Sequence, residues 1–118
     1  MKPLSTERLP KDFWYPTGYI RVLESGLVDL EPWKILDAEQ VEFHREGLAL
    51  RYPARRLLPF ANRQDMDDIA CWDLERGNQP VVIIHDYASP GWESRGEFAD
   101  FYSWLREAVE DFIIFDQV

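Results

Sequence analysis

The sequence predicts an α+β fold: a central, mostly antiparallel β-sheet with helices packed on it. Three observations predict it. Two runs rich in β-branched and aromatic residues, DIACWDL (68–74) and VVIIHDY (81–87), flank the turn-forming ERGNQP and read as a hairpin. Helical periodicity lies before and after that hairpin instead of alternating with strands, which sets the fold apart from β-α-β arrangements. The chain has 118 residues, is 46% hydrophobic and carries no repeat or linker-like tract. A single domain over 1–118 with one core follows.

Each element has its own local reason. Pro3, Pro10 and Pro16 keep the opening segment extended. In TGYIRVLES (17–25), Tyr19, Val22 and Leu23 share a helical face, and Gly26 stands where a helix ends. Pro32 makes the next stretch extended or turned, with Trp33 pointing inward. DAEQVEFHREGLALR (37–51) offers Asp37 as N-cap and an apolar stripe through Ala38, Val41 and Leu48, weakened by Gly47. LLPFA (57–61) reads as a short strand that Pro59 confines to an edge or a bulge. Val81–Ile84 is apolar on both faces, so that strand is central and covered on both sides. SPGWESRG (89–96) reads as a loop, and Ser94 with Glu97 forms a capping box for the last helix. In that helix Phe98, Phe101, Tyr102, Leu105, Ala108 and Phe112 make one apolar face, opposite Asp100, Glu107, Glu110 and Asp111. The final FIIFDQV reads as an extended segment on the sheet or a protruding dimer contact.

Composition narrows the function. Residues 1–59 carry nine basic and nine acidic side chains, whereas residues 60–118 carry four basic and thirteen acidic ones, giving the net charge of −9. Such a field repels nucleic-acid phosphates and attracts a basic surface. No apolar run approaches the roughly 18 residues of a membrane span. The opening MKPLSTERLPKDFWYP lacks the apolar core of a signal peptide, so the expected location is the cytoplasm. Cys71 is the sole cysteine, which excludes an internal disulfide.

The order of features in the second half resembles the SUKH superfamily: Pro59-Phe60, an acidic loop, a strand, a short turn, a second strand, and a closing helix with Phe98, Trp104 and Leu105. Upstream, LPKDFWYP with Tyr19, Leu23, Gly26 and then Trp33 is similar to that family's first helical region. The resemblance spans residues 9–112. One departure stands out: the family's Gly-Asp pair before the strand is replaced by QDMDDIA, with no glycine. The turn must then be made differently, with Asp65 or Asp67 as candidates for positive φ. The resemblance implies a helix-covered antiparallel sheet and a role in binding proteins. Bacterial members are associated with immunity to toxins, often nucleases or deaminases, and the yeast member regulates glucan synthesis.

The candidate site residues belong to PFANRQDMDDIACWDLERG (59–77) and the segment after the second hairpin strand. Asp65, Asp67 and Asp68 admit a metal, an acid–base or a contact role. Counted from Asp65, the sixth residue of a calcium loop would be Ala70 and the twelfth Arg76, so the EF-hand pattern is absent. Turn capping plus solvation is favoured over metal ligation, and a contact role is compatible with it. Neither His44 nor His85 stands in a zinc-site spacing, and no nucleophile elbow or P-loop is present. Cys71 reads as a small buried side chain, with a Cys71–His85 pairing disfavoured. Trp92 stands in SPGWE, where a core lid is slightly favoured over an exposed anchor rimmed by Glu93.

The expectation is therefore a non-enzymatic protein-binding module without a cofactor, most specifically a bacterial immunity protein facing a basic toxin domain. Its partner-binding residues would be Asp65, Asp67, Asp68, Glu75, Asp86 and Glu93 for steering, with aromatic burial at Trp92 or Trp72. It would act as a monomer or weak homodimer, without nucleic acid or membrane. The alternatives are a regulator of the same family and a small metal-dependent hydrolase built on Asp65, Asp67 and Asp68.

Overall fold

The computed structural model describes residues 1–117. They form one six-stranded, fully antiparallel sheet in which each strand lies beside its sequence neighbours. The strands are β1 (Asp29–Leu30), β2 (Trp33–Ile35), β3 (Leu57–Arg63), β4 (Asp68–Asp73), β5 (Val81–His85) and β6 (Ser94–Phe98). Three helices, α1 (Thr17–Ser25), α2 (Ala38–Arg51) and α3 (Phe101–Asp116), complete the α+β fold.

Strand alternation divides the core into two layers. Ala70 and Trp72 of β4, with Val81 and Ile83 of β5, join Phe60 against Tyr19, Val22 and Leu23 of α1 and Phe101, Trp104 and Ala108 of α3. Ile69, Cys71, Val82 and Ile84 face the other way, against Leu48 of α2 and Tyr52 just beyond it. Both faces of β4 and β5 are thus covered, as the apolar VVII run requires.

Local signals set most boundaries. Gly26, at φ 77°, closes α1 in the left-handed conformation, its N–H reaching Leu23 and Val22. Asp37 and Gln40 form a reciprocal capping box at the start of α2. Pro59 is tolerated because β2 pairs only with Ala61–Arg63 and the β3–β4 register shifts between Pro59 and Ala61. Trp33 is buried, edge-on to Trp104.

The structure corrects the segment after β5. Strand β5 ends at His85 and Tyr87 lies outside the ladder, whereas Ser94–Phe98, expected as loop and helix cap, is strand β6. The reason is tertiary: without a neighbour, β5 would have buried unpaired backbone groups along one edge, and residues 94–98 supply their partners. Helix α3 is instead capped by Asp100, whose carboxylate accepts from Ser103 N at 2.8 Å. It continues through the stretch expected to be extended, to Asp116; Val118 lies outside the described residues.

Its buried face is Phe101, Trp104 and Ala108, while Tyr102 and Phe112 are exposed. Asp111, expected on the solvent side, accepts a hydrogen bond from Trp33 Nε1 at 2.9 Å. Among the described residues no helix is long and apolar enough to cross a membrane.

Candidate functional site

The end of α2 and the residues just beyond it build a platform under the loop that joins β5 to β6. Arg51 extends from the last turn of α2 to Asp86. Its Nε donates to Oδ1 and one terminal nitrogen to Oδ2, each at 2.6 Å. This fork-to-fork geometry is the strongest form of carboxylate pairing, and the Asp86 hydrogen bond raises the pKa of Arg51. Gly47 leaves room for the guanidinium where it stands, since a Cβ there would lie 2.5 Å from an Arg51 terminal nitrogen. The mid-helix glycine that weakened the helix reading is therefore room for this side chain.

Asp86 also accepts from Tyr87 N at 2.8 Å and donates its own N–H to Asp67 O at 3.0 Å, tying the loop to the β3–β4 turn. Tyr87 is the one non-glycine residue at positive φ among those described (69°). The residue is 68% exposed, with the Arg51 guanidinium carbon 4.2 Å from the centre of its ring. Farther along, the Tyr52 hydroxyl donates to Ala88 O at 2.7 Å and His85 O at 3.3 Å. Glu93 accepts from Gly91 N at 2.7 Å and from Arg55 at 2.9 Å. Burial pushes the Glu93 pKa up, but Arg55 and the backbone amides outweigh it and hold the carboxyl below its ordinary value. Trp92 projects from the loop, 81% exposed.

These contacts reassign the acidic residues. Asp86 and Glu93, expected to present charge to a partner, are only 3% and 6% exposed. Each neutralises an arginine of the first half of the chain, so neither steers a ligand. Trp72 is fully buried in the core and is no contact residue. Trp92, for which a core lid is the favoured reading of the sequence, is exposed instead and covers no core. Asp65 is held by both prongs of Arg63 at 2.9 and 3.0 Å, which lowers its pKa. Asp68 accepts from His85 Nδ1 at 2.8 Å. Neither Asp65 nor Asp67 has positive φ, so the glycine-free turn is made without it.

Asp67 alone of the three aspartates is exposed without an ion-pair partner among the described residues. Glu75 is exposed on the short turn Leu74–Arg76, at the opposite end of β4. At about 3.3 Å per strand residue it lies some 20 Å from Asp68.

Beside the loop is an open cleft of about 270 Å³ lined by His44, Met66, Asp67, Asp68 and Tyr87 among others. Exposed Phe43 stands edge-on to His44, one of the residues lining the cleft. Burial lowers the His44 pKa, with Asp86 opposing, so the ring favours its neutral form. Asp65 and Asp68 turn to different neighbours, Arg63 and His85, and among the described residues no three His, Cys, Asp or Glu side chains gather as metal ligands. Cys71 is fully buried, which pushes its thiol pKa well up, and it pairs across the ladder with Val82, not His85.

Sequence reasoning missed the supports: Arg51, Tyr52 and Arg55 lie more than thirty residues from their loop partners. Gly47 inside a helix was the one available sign. The chain matches no known protein-family model, no curated protein and no solved structure.

Proposed function

We propose that this chain is a non-catalytic protein-binding module whose contact surface is the β5–β6 loop with the neighbouring face of α2. The observation that supports this reading is the pairing of exposure with fixation. Tyr87 and Trp92 stand in solvent, while the backbone that carries them is held from below by Asp86–Arg51, Glu93–Arg55 and Tyr52. Aromatic side chains on a pre-ordered loop are the economical form of a binding hot spot, because little freedom is lost on association. Phe43 and Met66 widen the apolar area, and Asp67 supplies charge at its margin. The net charge of −9 favours a basic partner and speeds its approach at low salt.

With the SUKH resemblance, the specific reading is a bacterial immunity protein that covers a basic toxin domain. The divergence of Asp65 and Asp68 toward Arg63 and His85 gives no support to the metal-dependent alternative. Co-expression with a toxin domain encoded beside this gene tests the proposal. The native chain restores growth, and the Tyr87→Ala/Trp92→Ala double variant, folded by circular dichroism, does not. Equal protection by the double variant overturns the assignment of this surface.

A further inference from the structure

We propose that β6 is a self-pairing edge through which two copies of this chain join their sheets into one. Strand β6 closes one side of the sheet, and among the described residues no strand pairs with its outer side. Four of its five residues, Gly96 included, are exposed, so its backbone is open to a second strand. The register shift between Ile83 and Ile84 leaves Arg95 without a partner residue on β5. Arg95 is therefore the one residue of β6 outside the chain's own ladder.

Gly96 is the second observation. Its φ is not positive, and an added Cβ would meet only Ile83 Cγ1 at 4.0 Å. The monomer thus has no steric need for glycine here, although glycine weakens a strand interior. A two-fold axis passing beside Gly96 sets the two glycines opposite each other and leaves the space between the flanking charged residues free of side chains.

The third is charge. Read antiparallel about Gly96, the sequence Ser94-Arg95-Gly96-Glu97-Phe98 sets Arg95 of each copy opposite Glu97 of the other. Residues directly opposite in an antiparallel pair share one face and lie close enough for opposite charges to attract. Glu97 already pairs with Arg76 in its own chain, whereas Arg95 has no ion-pair partner among the described residues. Charged residues on an edge strand usually deter pairing. Here they have opposite sign and are symmetric about a glycine, so they deter foreign strands and match an antiparallel copy.

Sedimentation and light scattering across a concentration series test the pairing. The native chain shifts toward twice its monomer mass as concentration rises. Arg95→Glu and Glu97→Arg each place like charges across the axis and remain monomeric, and their equimolar mixture recovers the dimer. Gly96→Cys, whose thiol is accessible while Cys71 is buried, gives a disulfide-linked dimer on mild oxidation. A native chain that stays monomeric throughout, an Arg95→Glu chain that still dimerises, or a mixture of folded variants that stays monomeric overturns the proposal. The second result would place the interface elsewhere, such as the exposed apolar end of α3.

Discussion

Arg51 and Asp86 meet in a two-pronged ion pair, both bonds at 2.6 Å, that fastens the last turn of α2 to the loop after β5. The aspartate is buried and the arginine side chain remains 30% exposed. One cation thus serves two ends: it satisfies a buried carboxylate and lies against the outward-facing ring of Tyr87. Loop conformation and surface chemistry are joined at this pair.

Removing either partner has unequal consequences. Arg51→Ala leaves Asp86 buried without its cation. The loss is about 2 kcal/mol, less than the ~3–5 kcal/mol of a wholly buried pair because solvent reaches the arginine side. Asp86→Ala frees an arginine that swings into water, and costs less than Arg51→Ala. Denaturant midpoints for the two variants and their combination check the order, and the double variant loses less than the sum.

Tyr87 carries backbone strain that glycine would relieve. A bulky residue in the left-handed region costs about 1–2 kcal/mol, and the stacked guanidinium returns about 0.5–1 kcal/mol. Tyr87→Gly therefore leaves stability within about 1 kcal/mol of the native chain while removing the exposed ring. Under the proposed function, partner affinity falls at least tenfold in a variant of near-native stability. Calorimetric titration beside a thermal melt separates the two effects.

What the sequence made legible follows the range of each interaction. The hairpin of β4 and β5, the helix ending at Gly26 and the cap at Asp37 rest on neighbours within a few residues, and local patterns recover them. Residues 94–98 read locally as the end of a loop and a helix cap because SRGEF has little intrinsic strand character; the open edge of β5 makes them strand β6. Asp86 and Glu93 looked like surface charges because their cations come from 35 and 38 residues upstream. Asp111 shows the same limit. Helical spacing put it opposite the core, yet Trp33, 78 residues away, gives it an indole N–H.

That indole contact docks the last turns of α3 on β2. Arg63 also reaches Asp111, at 3.4 Å, while its guanidinium lies near the Trp33 ring. Asp111→Ala removes an acceptor from a buried indole and costs about 1–2 kcal/mol, whereas Asp111→Asn keeps an acceptor and costs less. Hydrogen exchange of the last two turns of α3 rises in the alanine variant first, with the β4–β5 hairpin unchanged.

Glu93 gives the loop a pH dependence whose sign is fixed by its surroundings. Burial pushes its pKa up, and Arg55 with the backbone amides pulls it below the ordinary 4.5. The unfolded chain therefore takes up this proton at a higher pH than the folded chain does. The stabilisation is complete above about 4.5 and is lost as pH falls through the lower, folded value. Glu93→Gln lacks this proton equilibrium altogether. Near neutrality it is less stable than the native chain by about 1–2 kcal/mol, the scale of a charge-assisted hydrogen bond. As the solution is acidified the two stability curves converge, because the native carboxyl becomes neutral as well. His44 contributes equally to both chains: its pKa is lowered by burial, so its share is complete above 6.5 and declines as pH falls below that value. The difference between the curves therefore isolates Glu93, and urea midpoints measured from neutral to acid pH check it. A gap that stayed constant through the carboxylate range would mean that Glu93 does not hold this loop through its charge.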